Sequence, residues 1–430
     1  MHLNCHTYFS LRYGTLSPRR LVEKAAAWGI ESLALTDINN TSCALEFYQY
    51  CRELGVNPVL GVEFRHDGEF LYLGLARNPE GWRALNELLT ACSLAGMPIP
   101  PSPPDWPDVW VVYPKLTKAL SQFRENELLG IRPEHVNRLF SHELRHHQHK
   151  LVMLSPVTFF DDDGWTLHRL LRAVDLNTVI AKLQPRDTGK TNDRLLPPET
   201  LHSYYRQYPG ILRNTRRVME SCQVDFETGL QHNRQTFTGD KAGDFELLSK
   251  LALNGCRTRY DPHDRNALER VQRELKAIRE QDFCAYFLIA WDVVRYARSA
   301  GYRHVGRGSG ANSIVAYCIG ITDVDPLELD LYFERFINPY RASPPDFDID
   351  FSWDERDDVT DYIFKRYGRE HVALLATYST FQFNAAVREL GKVFGLSKAE
   401  IDFIADHLGE ICSDDWEWEE EAGESKNVKD

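Results

Sequence analysis

Three aspartates alternate with apolar residues in Asp346-Phe347-Asp348-Ile349-Asp350-Phe351. Side chains along a strand point to opposite faces in turn. The spacing therefore predicts Asp346, Asp348 and Asp350 on one face and Phe347, Ile349 and Phe351 on the other. The apolar face suits a core. The acidic face gathers like charges, which repel unless a cation lies between them. Magnesium suits such a face, since it takes a few carboxylates and completes its shell with water and substrate phosphates. Two such ions can clamp an in-line phosphoryl transfer. A solvated edge strand without chemistry carries the same pattern, so the surroundings of the segment decide its meaning.

Upstream lies Gly306-Arg307-Gly308-Ser309-Gly310-Ala311-Asn312-Ser313, followed by an apolar stretch that predicts a helix over 313–319. Glycines let backbone N–H groups converge on an anion, and a helix N-terminus adds positive potential. Ser309 can donate a hydroxyl and Arg307 a charge, which suits a triphosphate. A plain helix-entry loop has the same composition. No Lys follows in the Walker position. Arg335 and Arg341 lie between the two motifs, and their forked donors suit phosphate. A salt bridge between Arg335 and Glu334 is the structural alternative.

These motifs need a frame. The 430 residues exceed one ordinary core, which predicts roughly two or three domains. Residues 1–90 alternate apolar runs ending at Asp37 and Glu63 with a helix-like stretch from Cys43 to Leu54, a rhythm that predicts parallel strands with crossover helices. Six prolines make 94–108 read as a linker. Further strands are expected over 110–113 and 150–157, a loop over 184–198, and a domain boundary near 235–243. Beyond it, Leu268, Val271, Leu275 and Ile278 predict the core face of a helix over 264–281. More helices are expected over 286–300, 353–367 and 381–394.

Net charge is −13, which alone argues against nucleic acid, but much of the acid sits in the tail Asp414–Glu421 and around the carboxylate strand. The nine cysteines are scattered without a C-x-x-C pair, as expected for reduced, buried thiols. No long apolar run predicts a membrane span and no signal peptide opens the chain, so a cytoplasmic location is expected.

From about 265 to 408 the chain resembles the bacterial C-family DNA polymerases, the DNA polymerase III alpha subunits. The likeness rests on the turn 306–319, Ile321-Thr322-Asp323-Val324-Asp325-Pro326-Leu327-Glu328, Phe333 to Pro339, and Pro345 to Phe351. Phe283–Ile289, Tyr378–Phe381 and Arg388–Lys392 extend it. The resemblance implies a polymerase beta-like nucleotidyltransferase palm. In it Asp346 and Asp348 bind catalytic magnesium, and Gly308 and Ser309 hold the incoming triphosphate. Residues 1–235 are similar to the same family's PHP domain, an irregular α/β barrel. His2–His6, Leu35-Thr36-Asp37, Gly61-Val62-Glu63 and Ala76-Arg77-Asn78 carry that match.

Several metal ligands of active PHP domains are replaced here, by Asn4, by Ile38, and near Pro156 and Thr158. His6, Asp37 and Glu63 remain. A structural scaffold is expected, with the histidines of 141–150 as a solvated run. The expected organisation is a PHP domain over 1–235, a partial palm over 236–375, and a helical segment with an acidic tail over 376–430. The family's third catalytic aspartate, fingers and clamp-binding region are expected beyond this chain.

The resemblance implies template-directed nucleotidyl transfer from a dNTP to a primer, with magnesium as cofactor. Its partners would be primer–template DNA, the sliding clamp and the proofreading subunit. The chain alone is expected to be inactive. Two alternatives stay open: a PHP metal-dependent phosphoesterase or 3′–5′ exonuclease, and a non-catalytic nucleic-acid or replisome-binding module.

Overall fold

The computed structural model describes residues 1–226, 236–338 and 346–411. The chain divides into two compact units, residues 1–228 together with 379–430, and residues 229–378.

The first unit contains β1 (Asn4–Cys5), β2 (Ser32–Leu35), β3 (Asn57–His66), β4 (Glu69–Ala76), β5 (Val109–Tyr113), β6 (Glu127–Ile131), β7 (Leu151–Met153) and β8 (Pro156–Val157). Strands β2 to β7 form one sheet in sequence order, and β1 pairs with β8 in parallel. A bridge from His2 to Leu33 joins the start of the chain to β2. Only Leu154 and Ser155 separate β7 from β8, so the sheet curls back toward its own beginning, as an irregular PHP-type half-barrel does.

The expectation of parallel strands holds for β2–β3, β5–β6 and β6–β7, but β3–β4 and β4–β5 are antiparallel. For β3–β4 the reason is local. Asp67 and Gly68 join β3 to β4 with positive φ of 48° and 78°. Such a two-residue turn makes a hairpin and leaves no chain for a crossover helix. The proline-rich stretch is also more than a linker. Ile99 and Trp106 are buried in the barrel core, where the Trp106 ring lies 5.8 Å from that of Phe64. The segment runs along the surface, with most of its prolines exposed, and turns Ile99, Pro103 and Trp106 inward.

All eight described cysteines are free and buried, and the 143–150 segment buries no residue. The helix Phe383–Phe394 lies on the helix Asp162–Asp175 within this unit.

In the second unit the helices Lys241–Arg259, Arg265–Glu280, Cys284–Ser299 and Ile314–Ile319 enclose a separate core. The Arg265–Glu280 helix is capped by Asp264, whose carboxylate accepts from the Ala267 amide at 3.1 Å. Its buried face is Ala267, Val271, Leu275 and Ile278, whereas Leu268 is 41% exposed. The expected face was one residue out at its start, because Ala267 makes a better match than Leu268 to the 3.6-residue period.

Two strands, β9 (His304–Arg307) and β10 (Asp348–Phe351), form an antiparallel ribbon with Asp348 opposite Arg307 and Asp350 opposite Val305. Phe347 anchors the ribbon. Its ring lies 5.0 Å from Phe287 and 5.0 Å from Phe336, and Phe287 lies 5.9 Å from Phe336. Replacing fully buried Phe287 with Ala is expected to destabilise the protein by about 3–5 kcal/mol, read as a fall in the urea midpoint. A loss below about 1 kcal/mol would show that the three rings do not pack as a unit.

Candidate functional site

Two carboxylate clusters stand out, one in each unit. In the first, Asn4 and His6 lie at the β1 end, Asp37 follows β2, Glu63 is on β3 and Thr158 follows β8, and all are buried. Glu63 Oε2 accepts from Asn4 Nδ2 at 2.6 Å and contacts His6 Nε2 at 3.0 Å. The Arg65 guanidinium donates to its other oxygen. His6 Nδ1 pairs with Thr158 Oγ1 at 3.0 Å. Asp37 accepts from the Thr7 amide and hydroxyl, both at 2.7 Å, and from Ser10 Oγ at 2.6 Å.

A metal would need those same lone pairs. Each of these oxygens and ring nitrogens already has a partner, and among the described residues no group of three or more His, Cys, Asp or Glu could hold a metal ion. The residues present do not fit a metal cluster here. Arg65 supplies the compensating charge instead. Burial pushes the Glu63 carboxyl up, but Arg65, His6 and Asn4 together outweigh it and hold its titration down at about 2. The guanidinium also stacks 4.2 Å from the Tyr13 ring and donates to the Tyr13 hydroxyl at 3.1 Å.

Next to this cluster, sequence reading missed His168. Its Nδ1 donates to the Tyr13 carbonyl at 2.6 Å, and its Nε2 accepts from the Gly189 amide at 2.8 Å. That pairing requires the neutral ring, and burial pulls its titration down to about 4.

In the second unit the Gly-rich segment forms a single turn, Gly308–Asn312, between β9 and the Ile314–Ile319 helix. Gly308 has a φ of 69°, and a Cβ there would stand 2.4 Å from Asp348 Oδ2. The turn and the carboxylate strand are thus in direct apposition. Asp348 and Asp350 face the same side of β10, and Arg307 reaches both, Nε to Asp350 Oδ2 at 2.7 Å and Nη1 to Asp348 Oδ2 at 3.4 Å. Asp346 is exposed and precedes the strand, so it is not carried on β10 itself.

Ser309 is half-buried, with its carbonyl accepting from Asn312 Nδ2 at 2.9 Å. Arg335 is exposed in the turn Phe333–Arg335, while among the described residues Glu334 pairs with Arg273, at 3.9 Å. Arg341 lies outside the described residues.

The N-terminus of the helix after the turn is already occupied by a carboxylate of the protein itself. Glu274, fully buried, accepts from Ser313 Oγ at 2.8 Å and from the Val315 amide at 3.3 Å, and Ser313 Oγ accepts from the Ala316 amide at 3.1 Å. Arg270 pairs with Glu274 at 3.0 Å and donates to the carbonyls of Asn312 at 3.1 Å and Leu331 at 2.7 Å. This buried pair holds the end of the turn from behind. Any anion site must come from the turn and its side chains. The i,i+4 spacing of Arg270 and Glu274 was visible in sequence, but it reads as an ordinary surface pair.

Downstream, buried Asp292 accepts from Tyr362 at 2.9 Å, Tyr367 at 3.0 Å and Arg295 at 2.7 Å. It ties the helix Arg356–Tyr367, which follows β10, to the Cys284–Ser299 helix.

The sequence that builds these two units is similar to known proteins. Residues 2–152 match the PHP domain, and residues 246–430 match the bacterial DNA polymerase III alpha NTPase domain. The chain is 32% identical to an error-prone DNA polymerase of Symbiobacterium thermophilum, over 95% of this chain and 42% of that protein. It is 30% identical to the DNA polymerase III subunit alpha of Bacillus subtilis and 29% identical to that of Escherichia coli, over 94% of this chain and 39% of each relative. Over 94–95% of its length the chain is thus similar to bacterial DNA polymerase III alpha subunits and to an error-prone DNA polymerase, and it spans about two fifths of the length of these relatives.

His168 gives the first unit a pH signature. Its ordinary titration near 6.5 is lowered to about 4 on folding. The unfolded chain therefore takes the proton first, and the stability that neutral His168 contributes is lost as pH falls from 6.5 toward 4. Urea denaturation of wild type and His168→Gln should show a stability gap that narrows over that range. A gap that stays constant would contradict the neutral ring.

Proposed function

We propose that the second unit is the nucleotide- and metal-binding part of a template-directed DNA polymerase palm, and that the first unit is its non-catalytic structural domain. The observation that carries this reading is the apposition of the glycine turn and the carboxylate strand, with Gly308 against Asp348 Oδ2. A triphosphate lying on Gly308 and Ser309 would have its phosphates beside the residues that hold the metal.

Asp346 and Asp348 are the magnesium ligands in this account. The donor chemistry fits, since both are carboxylates at least partly exposed to water, and magnesium takes only a few such ligands and completes its shell with water and substrate phosphates. When bound, magnesium supplies positive charge to the phosphoryl oxygens. Ser309 donates its hydroxyl to the triphosphate, and Arg307, Arg335 and Arg341 are the candidate phosphate-facing cations. The primer 3′-oxygen forms a bond to the α-phosphorus, the bond from that phosphorus to the bridging oxygen breaks, and pyrophosphate leaves.

The same reading gives primer–template DNA and dNTPs as substrates and other replisome subunits, the sliding clamp and proofreading subunit among them, as partners. No helix among the described residues is long and apolar enough to cross a membrane. The account also places any polymerisation in a longer protein. Two carboxylates alone do not fix two ions at catalytic spacing, and a misplacement of about 1 Å costs roughly a hundredfold in rate.

In a protein carrying this chain at the length of its curated relatives, Asp348→Asn is expected to reduce primer extension at least about a hundredfold with the fold intact. Ser309→Ala should raise the apparent KM for dNTP by roughly tenfold, the worth of one charge-assisted hydrogen bond. Extension that survives Asp348→Asn would remove the reading.

A further inference from the structure

The ribbon already contains a cation where the proposed site needs one. Arg307 ends β9 and stands opposite Asp348, with Asp350 on its diagonal. Its guanidinium spans the two carboxylates, at 3.4 Å from Asp348 Oδ2 and 2.7 Å from Asp350 Oδ2. The Asp348 oxygen it contacts is the one turned toward Gly308. Arginine and magnesium would compete for that atom.

We propose that Arg307 is an exchangeable counter-cation: it neutralises Asp348 and Asp350 in the free protein, gives up Asp348 when magnesium binds, and turns its charge to the triphosphate on the adjacent glycine turn. This rests on the reading of the second unit as a polymerase palm.

Exposure is what makes the exchange cheap. Arg307, Asp348 and Asp350 are 59%, 41% and 54% exposed, so water can solvate each group as the pair opens. Exposed pairs of this kind contribute little and are screened by salt. The Arg65–Glu63 pair of the first unit is the opposite case, with its carboxylate 1% exposed and its guanidinium 15% exposed. Opening that pair would strand a buried charge, so it is permanent. A guanidinium can bridge two carboxylates and later grip a phosphate with the same fork, whereas a lysine ammonium is a single point charge. Gly308, next in the chain and with its φ of 69°, lets the backbone turn away immediately after Arg307, which keeps the side chain beside the turn in either position.

The test is metal binding without nucleotide, on the full chain. Manganese is titrated and the free ion counted by its magnetic resonance signal, for wild type, Arg307→Gln, Arg307→Lys and Asp348→Asn. Removing the competitor should tighten manganese binding about two- to fivefold in Arg307→Gln, the range that an exposed ion pair sets, with Arg307→Lys between. With magnesium present, Arg307→Gln should bind a non-hydrolysable nucleoside triphosphate analogue more weakly than wild type.

Manganese affinity that is unchanged or weaker in Arg307→Gln, while wild-type binding is still lost in Asp348→Asn, overturns the counter-cation and leaves the palm reading standing. Wild-type binding that persists in Asp348→Asn overturns the palm site itself. Arg307→Gln removes an exposed side chain at the end of a strand. An unchanged urea midpoint certifies its fold, and Arg307→Lys, which keeps the charge, carries the comparison if that midpoint falls.

Discussion

A carboxylate held on a strand in an acidic cluster needs a compensating positive charge, and in both units an arginine provides one. Glu63 and Arg65 sit two residues apart on β3 and so share a face, while Arg307 reaches Asp348 and Asp350 from across the β9–β10 ribbon. Depth of burial separates the two cases. Around Glu63, Asn4, His6 and Thr158 complete a closed network of buried donors and acceptors, and disturbing one member leaves others unpaired at a cost of about 1–3 kcal/mol each. Around Asp348 the pair faces solvent, so a change of partner leaves nothing buried and unpaired. One cluster has become part of a core, and the other has stayed open to chemistry.

The rest of the second unit serves that open ribbon. Phe347 fixes its apolar side between Phe287 and Phe336, and the Phe347 amide donates to the Tyr286 hydroxyl at 2.7 Å. Glu274 and Arg270 hold the far end of the glycine turn, and Asp292 fastens the helix that comes after β10. Glu274 and Asp292 are buried charges with several partners each. Buried ion pairs give little net stability but fail badly when one partner is lost. Their value here lies in position, since with Phe347 they hold the elements on either side of the turn and ribbon in place.

Much of this was legible in the residues. The alternation of Asp346 to Phe351 gave the strand and its two faces from Asp348 on, with Asp346 left just ahead of it, and the glycines of 306–310 gave the turn before a buried helix. The losses at Asn4, Ile38 and Thr158 pointed to an altered site in the first unit. What replaced the metal ligands was not legible. Arg65 carries no sign that it lies inside the barrel, because only the curl of the sheet turns the end of β3 inward toward Tyr13. His168 was hidden for the same reason, since its partners Tyr13 and Gly189 are distant in sequence. The β3–β4 hairpin was readable from Asp67-Gly68 but was masked by the apolar runs on either side, which suggested buried parallel strands. Glu274 looked like one more surface charge, and only the packing of the Ile314–Ile319 helix against its own helix made it a cap.

The central claim is that the two acidic clusters have opposite fates, one sealed by Arg65 and one open at Arg307. Crystals of the chain soaked with manganese and a non-hydrolysable nucleoside triphosphate, with anomalous scattering recorded to locate the ion, test it most directly. The account predicts anomalous density beside Asp348 with the Arg307 guanidinium moved off that carboxylate, and none beside Glu63. Density among His6, Asp37 and Glu63, with Arg65 displaced and the Asp348 ribbon unchanged, would contradict it.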